Sequence, residues 1–510
     1  MGYPIWDLAI GGSLLMALVA IPHVIVSHFA IGGGLLIAVT ETLAVKRGDP
    51  ELRGLAKRSS LVLILVSTVF GAISGVGIWV VAGLVSPAAI STLIHTYVWG
   101  WAIEWVFFVL EIVASLVYYA TWDKISKGAH LLVGWLYFLG AYLSLVVING
   151  IITFMLTPGR WLETGAFWDG FFNPTYWPSL VLRTGICLMM ATAFMVFPAM
   201  RAAAVHRDRL VRYLGWWFAA GGLVSYAGYR WWEAVLPDSV HALFQGATPA
   251  LATLAVTRHL ALWSLTAALV VAVVILLARP RLARPATAAV LALAAFAFFG
   301  GYERLREGVR KPFLIHSHTF SNGLRVAEIA AVNQQGVLAT AGWAARAAAA
   351  DPAGIGRQVF RAQCASCHTL DGYQSIRQAL PSLRDVLAVT ADDPPGSGAR
   401  TYRNRCAACH SDVSFDDMKG MLPSADEVRG GPDMIRDLNQ GMISGALVKL
   451  RVAGENYIAA DRTRMIDTSA FPSPYMPPFV GTEEELAALS DYLGSLADDR
   501  EPRMSMRGGE

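Results

Sequence analysis

The sequence predicts an all-α chain: a polytopic membrane helix bundle of about eight spans, followed by a small helical domain in water. Three observations predict it. Only 15% of the 510 residues are charged, against about 25% in ordinary soluble domains. The mean hydropathy is +0.46. The apolar character is uneven, with long apolar runs over residues 1–305 and a polar remainder over 306–510.

A bilayer crossing needs ~20 consecutive apolar residues. Eight stretches qualify, near 12–45, 59–86, 96–121, 130–157, 178–200, 213–236, 250–278 and 285–303. The first is longer than one crossing needs, which predicts tilt or extension beyond the bilayer. No cleavable leader is expected, because Met1 to Asp7 lacks a basic stretch and the first apolar run is too long for one. The connections after odd-numbered spans hold fourteen Lys and Arg, from Lys46 to Arg284, whereas the even connections at 87–95, 158–177 and 237–249 hold only Arg160. Positive loops stay in the cytoplasm. The N-terminus and the C-terminal domain are therefore expected on the periplasmic side of the inner (cytoplasmic) membrane. Basic residues gather in short loops and not on one face, which excludes a nucleic-acid partner and leaves the lipid bilayer.

Residues 306–352 are expected to form a linker, 353–500 the soluble domain and 501–510 a tail. The soluble domain repeats one motif: Cys364-Ala-Ser-Cys367-His368 and Cys406-Ala-Ala-Cys409-His410, separated by a Pro/Gly stretch from Asp393 to Gly398. Two thiols at this spacing bond the two vinyl groups of one porphyrin, and the adjacent histidine sits under the iron. A Cys-x-x-Cys redox pair or half a zinc site is the competing reading. Two copies with trailing histidines, on the outer side of a membrane, favour two covalent hemes c, with His368 and His410 as iron ligands. The fifth cysteine, Cys187, reads as a small buried hydrophobe.

Pro474-Tyr475-Met476-Pro477-Pro478-Phe479 lies 70 residues after Cys406 and precedes a helical pattern from Thr482 to Leu493. This resembles class I cytochromes c, in which a Met-Pro loop closes over the heme. Met476 is accordingly expected to ligate the second heme, with a surface methionine as the alternative. Between His368 and Cys406 there is no Met or His. The first heme's sixth ligand must come from elsewhere, with Met418, Met421, Met434, Met442, Met465, His316 and His318 as the choices.

Ionisable groups inside membrane spans are costly and usually functional. Glu104 and Glu111 are seven residues apart and share one face of the third span. His23 and His28 lie five apart in the first span, about 140° around the helix, so one heme edge does not use both. Beside a carboxylate pair and two hemes c, His23 reads as the heme ligand, with a packed histidine as the alternative.

At these residues the chain resembles the large, heme-bearing subunit of the cytochrome bd quinol oxidases, over residues 12–315. His23 stands 18 residues before Glu41, after which comes Thr42, with Gly32-Gly33-Gly34 between. The third span reads Ile103-Glu104-Trp105 to Leu110-Glu111 and ends at Trp122-Asp123-Lys124, with the glutamate spacing one residue shorter than the family's. Asn149-Gly150, Asn173-Pro174 and Glu307 to Phe313 recur in order. The resemblance implies heme b or d and quinone in the membrane domain, catalytic roles for His23, Glu104 and Glu111, and cofactor binding by Arg258. It also implies a second membrane subunit and an external electron carrier or quinol. The departures are as informative. Arg183 stands where the family's low-spin heme has its histidine, and Leu260 where that heme has its methionine. Gly300 replaces a glutamate, with Glu303 one turn on. The external loop is short, and the ninth span gives way to the heme c domain.

Two functions follow. One is a heme-dependent oxidoreductase passing electrons between the outer hemes c and a heme or quinone in the membrane domain. The other is a non-catalytic anchor whose hemes c relay electrons within a larger complex.

Overall fold

The structure is a computed structural model describing residues 2–244, 249–350, 354–380, 382–391, 395–403, 414–422, 424, 433–469, 471 and 475–496. The membrane region comprises α1 (Gly12–Arg47), α2 (Pro50–Val85), α3 (Pro87–Thr96), α4 (Val98–Ala120) and α5 (Lys127–Leu156). After them come α6 (Tyr176–Met200), α7 (Ala204–Val235), α8 (Thr253–Ala278) and α9 (Pro285–Arg310). Seven of these, all but α3 and α7, are long and apolar enough to cross a membrane among the described residues. Helix α7 covers the expected sixth span and has 32 residues. Its glycines, tryptophans and tyrosines, with Arg230 and Glu233, keep its hydropathy below that of the others. It packs closely on α6: a Cβ at Gly228 would meet the Leu182 backbone nitrogen at 2.4 Å, and one at Gly185 the Gly221 carbonyl at 2.5 Å.

At 1.5 Å per residue α1 is about 54 Å long, longer than a ~30 Å hydrocarbon core. Its glycine triplet sets the centre of the bundle. A Cβ on Gly32 would lie 1.9 Å from the Cys187 carbonyl of α6, one on Gly33 2.6 Å from Leu63 of α2, and one on Gly34 2.8 Å from Tyr137 of α5. Three successive residues thus admit three different helices. Cys187 is 2% exposed, in keeping with its reading as a core residue. Within α2, residues Leu65–Gly71 form a π-helix, a feature frequent at functional sites.

After α9 the chain forms a hairpin of β1 (Phe313–Ile315) and β2 (Thr319–Phe320), antiparallel, with Phe313 opposite Phe320. The hairpin binds the membrane helices: the His316 N–H donates to the Met155 carbonyl at 2.9 Å, and the Ser86 hydroxyl to the Ser321 carbonyl at 3.4 Å. The stretch expected as a linker has structure of its own, with helices Ile329–Gln335, Val337–Thr340 and Gly342–Ala350. Its Phe313, Ile329, Val332 and Val337 share one core with Val359, Phe360, Tyr457, Val480 and Leu489. The C-terminal domain is built on α10 (Ile355–Gln363), α11 (Asp433–Ala459) and α12 (Glu483–Ser495). Helix α12 starts with a capping box between Thr482 and Glu485, and Glu485 also accepts the N–H groups of Val337 and Leu338.

Candidate functional site

His23 lies on α1 where Gly71 and Gly75 of α2 leave room: a Cβ on Gly75 would meet its ring at 3.0 Å. Its Nδ1 is 3.2 Å from the Gly71 carbonyl, at the end of the π-helix, and 3.1 Å from the Ser74 hydroxyl. An Nδ1–H donated to a carbonyl fixes the tautomer that leaves Nε2 as a lone-pair donor, the usual support of a metal-ligating histidine. His28 is placed differently. It is 3% exposed, its Nδ1 meets the Val24 carbonyl at 2.8 Å, and its Nε2 faces the Arg183 guanidinium at 3.4 Å.

Helices α4 and α5 meet in one antiparallel register. The Ser144 hydroxyl donates to Glu104 Oε1 at 2.6 Å. The His130 Nε2 meets the Tyr118 carbonyl at 2.9 Å, and the two rings lie 4.3 Å apart. The same register puts Tyr137 opposite Glu111, and Gly140 brings α5 against the backbone of Phe107 and Glu111. At the end of this seam away from the C-terminal domain, Glu41 of α1 accepts from the Tyr118 hydroxyl at 2.7 Å and lies 2.8 Å from His130 Nδ1. All three side chains are buried. Sequence reading singled out Glu41, Glu104 and Glu111 but missed His130, Tyr118, Tyr137 and Ser144. The missed signal is heptad spacing: 130, 137 and 144 on α5 face 118, 111 and 104 on α4.

Arg183 is 2% exposed and forms an ion pair with Glu303 of α9. It also lies over the rings of Phe299 and Tyr302. Beyond Glu303 the opposite charges continue as Arg306, Glu307 and Arg310, which ends on the carbonyls of Phe313 and Leu314. These charges pair with one another, and a cation in contact with His28 offers no lone pair to iron. Leu260 is 64% exposed and points away from the core. The residues here do not fit a second, low-spin heme. Arg258, expected to bind cofactor, donates to Glu233 of α7 at 2.6 Å.

In the C-terminal domain Cys364 and Cys367 follow α10 directly. Burial pushes the Cys364 thiol up to about 12, with Cys367 adding to it. His368 Nδ1 lies 3.3 Å from the Gln374 carbonyl, again leaving Nε2 as the donor atom. Burial lowers its pKa, against the pull of that carbonyl, which favours the neutral, ligating form. Among the described residues no three His, Cys, Asp or Glu cluster in a way that could hold a metal ion, so this motif has no zinc-type partners there. Its ligand set fits one covalent heme. Cys406, Cys409 and His410 lie outside the described residues. Met476 is 38% exposed. His316 is buried against Ser317, and His318 packs edge-on to Trp161.

The first heme motif rests on the start of α1. A Cβ on Gly11 would meet Thr369 at 2.9 Å, and one on Gly372 the Ala9 carbonyl at 1.8 Å. Gly11 is left-handed, with φ of 88°, so no side chain is tolerated there easily.

Residues 13–225 match the family model for cytochrome bd terminal oxidase subunit I. Residues 396–497 match the cytochrome c model. Among solved structures, the chain is similar to one in the structure of bd oxidase from Geobacillus thermodenitrificans. The TM-score is 0.52 at 16% identity, covering 61% of this chain and 89% of that one. No curated protein matches the chain.

Proposed function

We propose that this chain, whose membrane region is of the cytochrome bd subunit I type and whose C-terminal region carries a cytochrome c domain, is an oxidase-like respiratory subunit that takes electrons in through its hemes c. Respiratory electron transfer follows from the two families. The direction is our reading, and the observation that carries it is Arg183. With that cation and Glu303 filling the place of a low-spin heme, entry from quinol has no built relay. The first heme motif, by contrast, sits on the N-terminus of the helix that bears His23. Twelve residues separate Gly11 from His23, about 18 Å along a helix.

In this reading His23 holds a heme b or d, which supplies electron transfer and dioxygen chemistry when bound. His368 and His410 hold the two hemes c. Glu104, with the Ser144 hydroxyl on its carboxylate, and Glu111 hold and pass protons along the α4–α5 seam. The Gly71 carbonyl orients His23. A second membrane subunit covers the apolar faces left open, such as Trp99, Val106 and Val113 of α4. The C-terminal domain faces the periplasm and meets a soluble or membrane-attached electron carrier.

Pyridine hemochrome analysis of the purified protein tests this. Two hemes c with additional b- or d-type heme, lost in His23→Ala, support it. Oxygen uptake driven by reduced cytochrome c and not by quinol fixes the direction. Heme c alone favours the second reading, a non-catalytic anchor, for which the filled low-spin site is the supporting observation.

A further inference from the structure

We infer that Met476 closes over the first heme, bonded at Cys364 and Cys367, although the second motif stands between the two in sequence. Sequence order points the other way, since Met476 follows the second motif, and the cytochrome c family match likewise joins the second motif to the C-terminal helix. The contacts do not follow that order.

Helix α10, which leads into Cys364, crosses α12. At the crossing a Cβ on Gly356 would sit 2.0 Å from the Ala488 carbonyl and 2.7 Å from Tyr492 Cβ, so the two backbones touch. Phe360 and Tyr492 have ring centroids 6.3 Å apart one turn on. The last residue before Cys364, Gln363, is 7% exposed and holds the methionine loop with both ends of its amide. Its Nε2 donates to the Val480 carbonyl at 2.6 Å, and its Oε1 accepts the Val480 N–H at 3.1 Å. A buried amide satisfied twice by one residue fixes the loop's register. Phe479 and Val480 are buried in the same core as Val359 and Phe360. The other side of the loop rests on α11, where a Cβ on Gly454 would meet Pro478 at 3.3 Å.

Met476 is four residues from Val480, and Cys364 is next to Gln363. Four extended residues span at most ~14 Å, so the thioether is tethered within reach of iron above His368. In sequence, residues 381–432, with the second motif, stand between Leu380 and the start of α11. The closing helix, the preceding helix and the loop clamp thus all belong to the first motif. A Met/His pair raises a heme's potential, so Met476 sets the potential of the first heme, seated on α1. This rests on heme c attachment alone and is independent of heme in the membrane domain.

The test is the near-infrared charge-transfer band of Met-ligated ferric heme, read together with a redox titration. In Cys406→Ala/Cys409→Ala protein, which keeps only the first heme, the band should persist and should vanish when Met476→His is added. In the intact diheme chain, Met476→His should lower one midpoint potential and leave the other in place. Gln363→Leu in the intact chain should weaken the band by freeing the loop. A band missing from the single-heme protein but present in the intact chain would assign Met476 to the second heme. A band insensitive to Gln363→Leu, or absent from the intact chain, would equally overturn the inference.

Discussion

His130 shares its buried surroundings with one carboxylate, one phenol and one indole. Glu41 bonds it through Nδ1, the Tyr118 carbonyl through Nε2, and Trp122 lies 4.3 Å away ring to ring. Such a group is costly to dismantle from one side, because the remaining partner stays buried and unpaired. His130→Ala should therefore destabilise the membrane domain by about 3 kcal/mol, seen as a lower thermal midpoint in detergent, and Glu41→Gln in the same background should recover part of the loss. Arg183 poses the same question with the opposite sign. Arg183→Ala leaves Glu303 with Arg306 as its one remaining cation among the described residues and should lower the midpoint, whereas Arg183→His should not create a low-spin heme site. Unchanged heme b content in Arg183→His, read as a hemochrome spectrum, checks the second half. A new low-spin b signal would mean that the side chain alone had excluded the heme.

At the scale of elements, close approach decides most of the geometry. Gly32 admits the Cys187 carbonyl at a distance no Cβ allows. Gly32→Ala must push α1 from α6, and overpacking a fitted core costs about 1–3 kcal/mol. Because His23 sits on α1, heme retention should fall with stability, measured as heme per protein after purification. The hairpin from Phe313 to Phe320 is the corresponding element outside the membrane. His316 there is buried, and burial, then Arg310, lowers its pKa to about 3, with Asp467 opposing. A histidine this low binds its proton more readily in the unfolded chain. Stability is then complete above about pH 6.5, the ordinary value, and declines as pH falls toward 3, by about 1.4 kcal/mol per unit for this group. His316→Asn should flatten the fall of the C-terminal domain's thermal midpoint between pH 7 and pH 4. An identical slope in both proteins would remove His316 as its source.

Over the whole molecule, the C-terminal domain is bound to the bundle through α1, α3 and α5 at one end. Ala9 and Gly11 meet Gly372 and Thr369 of that domain there, and Ala88 and Met155 meet Gly323 and His316 of the hairpin segment packed on it. The first Cys-x-x-Cys-His motif and the membrane bundle are thus held against each other by packing among the described residues. On the proposed direction of flow, Gly372→Val, which must collide with the Ala9 carbonyl, should slow electron transfer from heme c to the membrane domain in flash or stopped-flow reduction while leaving the heme c spectrum intact.

The sequence by itself determined the membrane bundle, because burial in lipid demands long apolar runs that need no partner to be recognised. It also marked Cys364, Cys367 and His368 as a heme c attachment motif, because that spacing is local to five residues. The cytochrome bd likeness was legible in Glu41, Glu104, Glu111 and the glycine triplet. Tertiary structure alone decided what those residues touch. Only packing revealed that His23 leans on the Gly71 carbonyl at a π-helix, that His130 closes on Glu41 from 89 positions away, and that Arg183 is neutralised by Glu303. The helices within the linker were not legible because they bury their apolar residues against α10, α11 and α12. The ties of the Met476 loop were not legible for a related reason: proximity in sequence favours the second motif, whereas the α10–α12 crossing and the Gln363 clamp bring segments distant in sequence together beside the first.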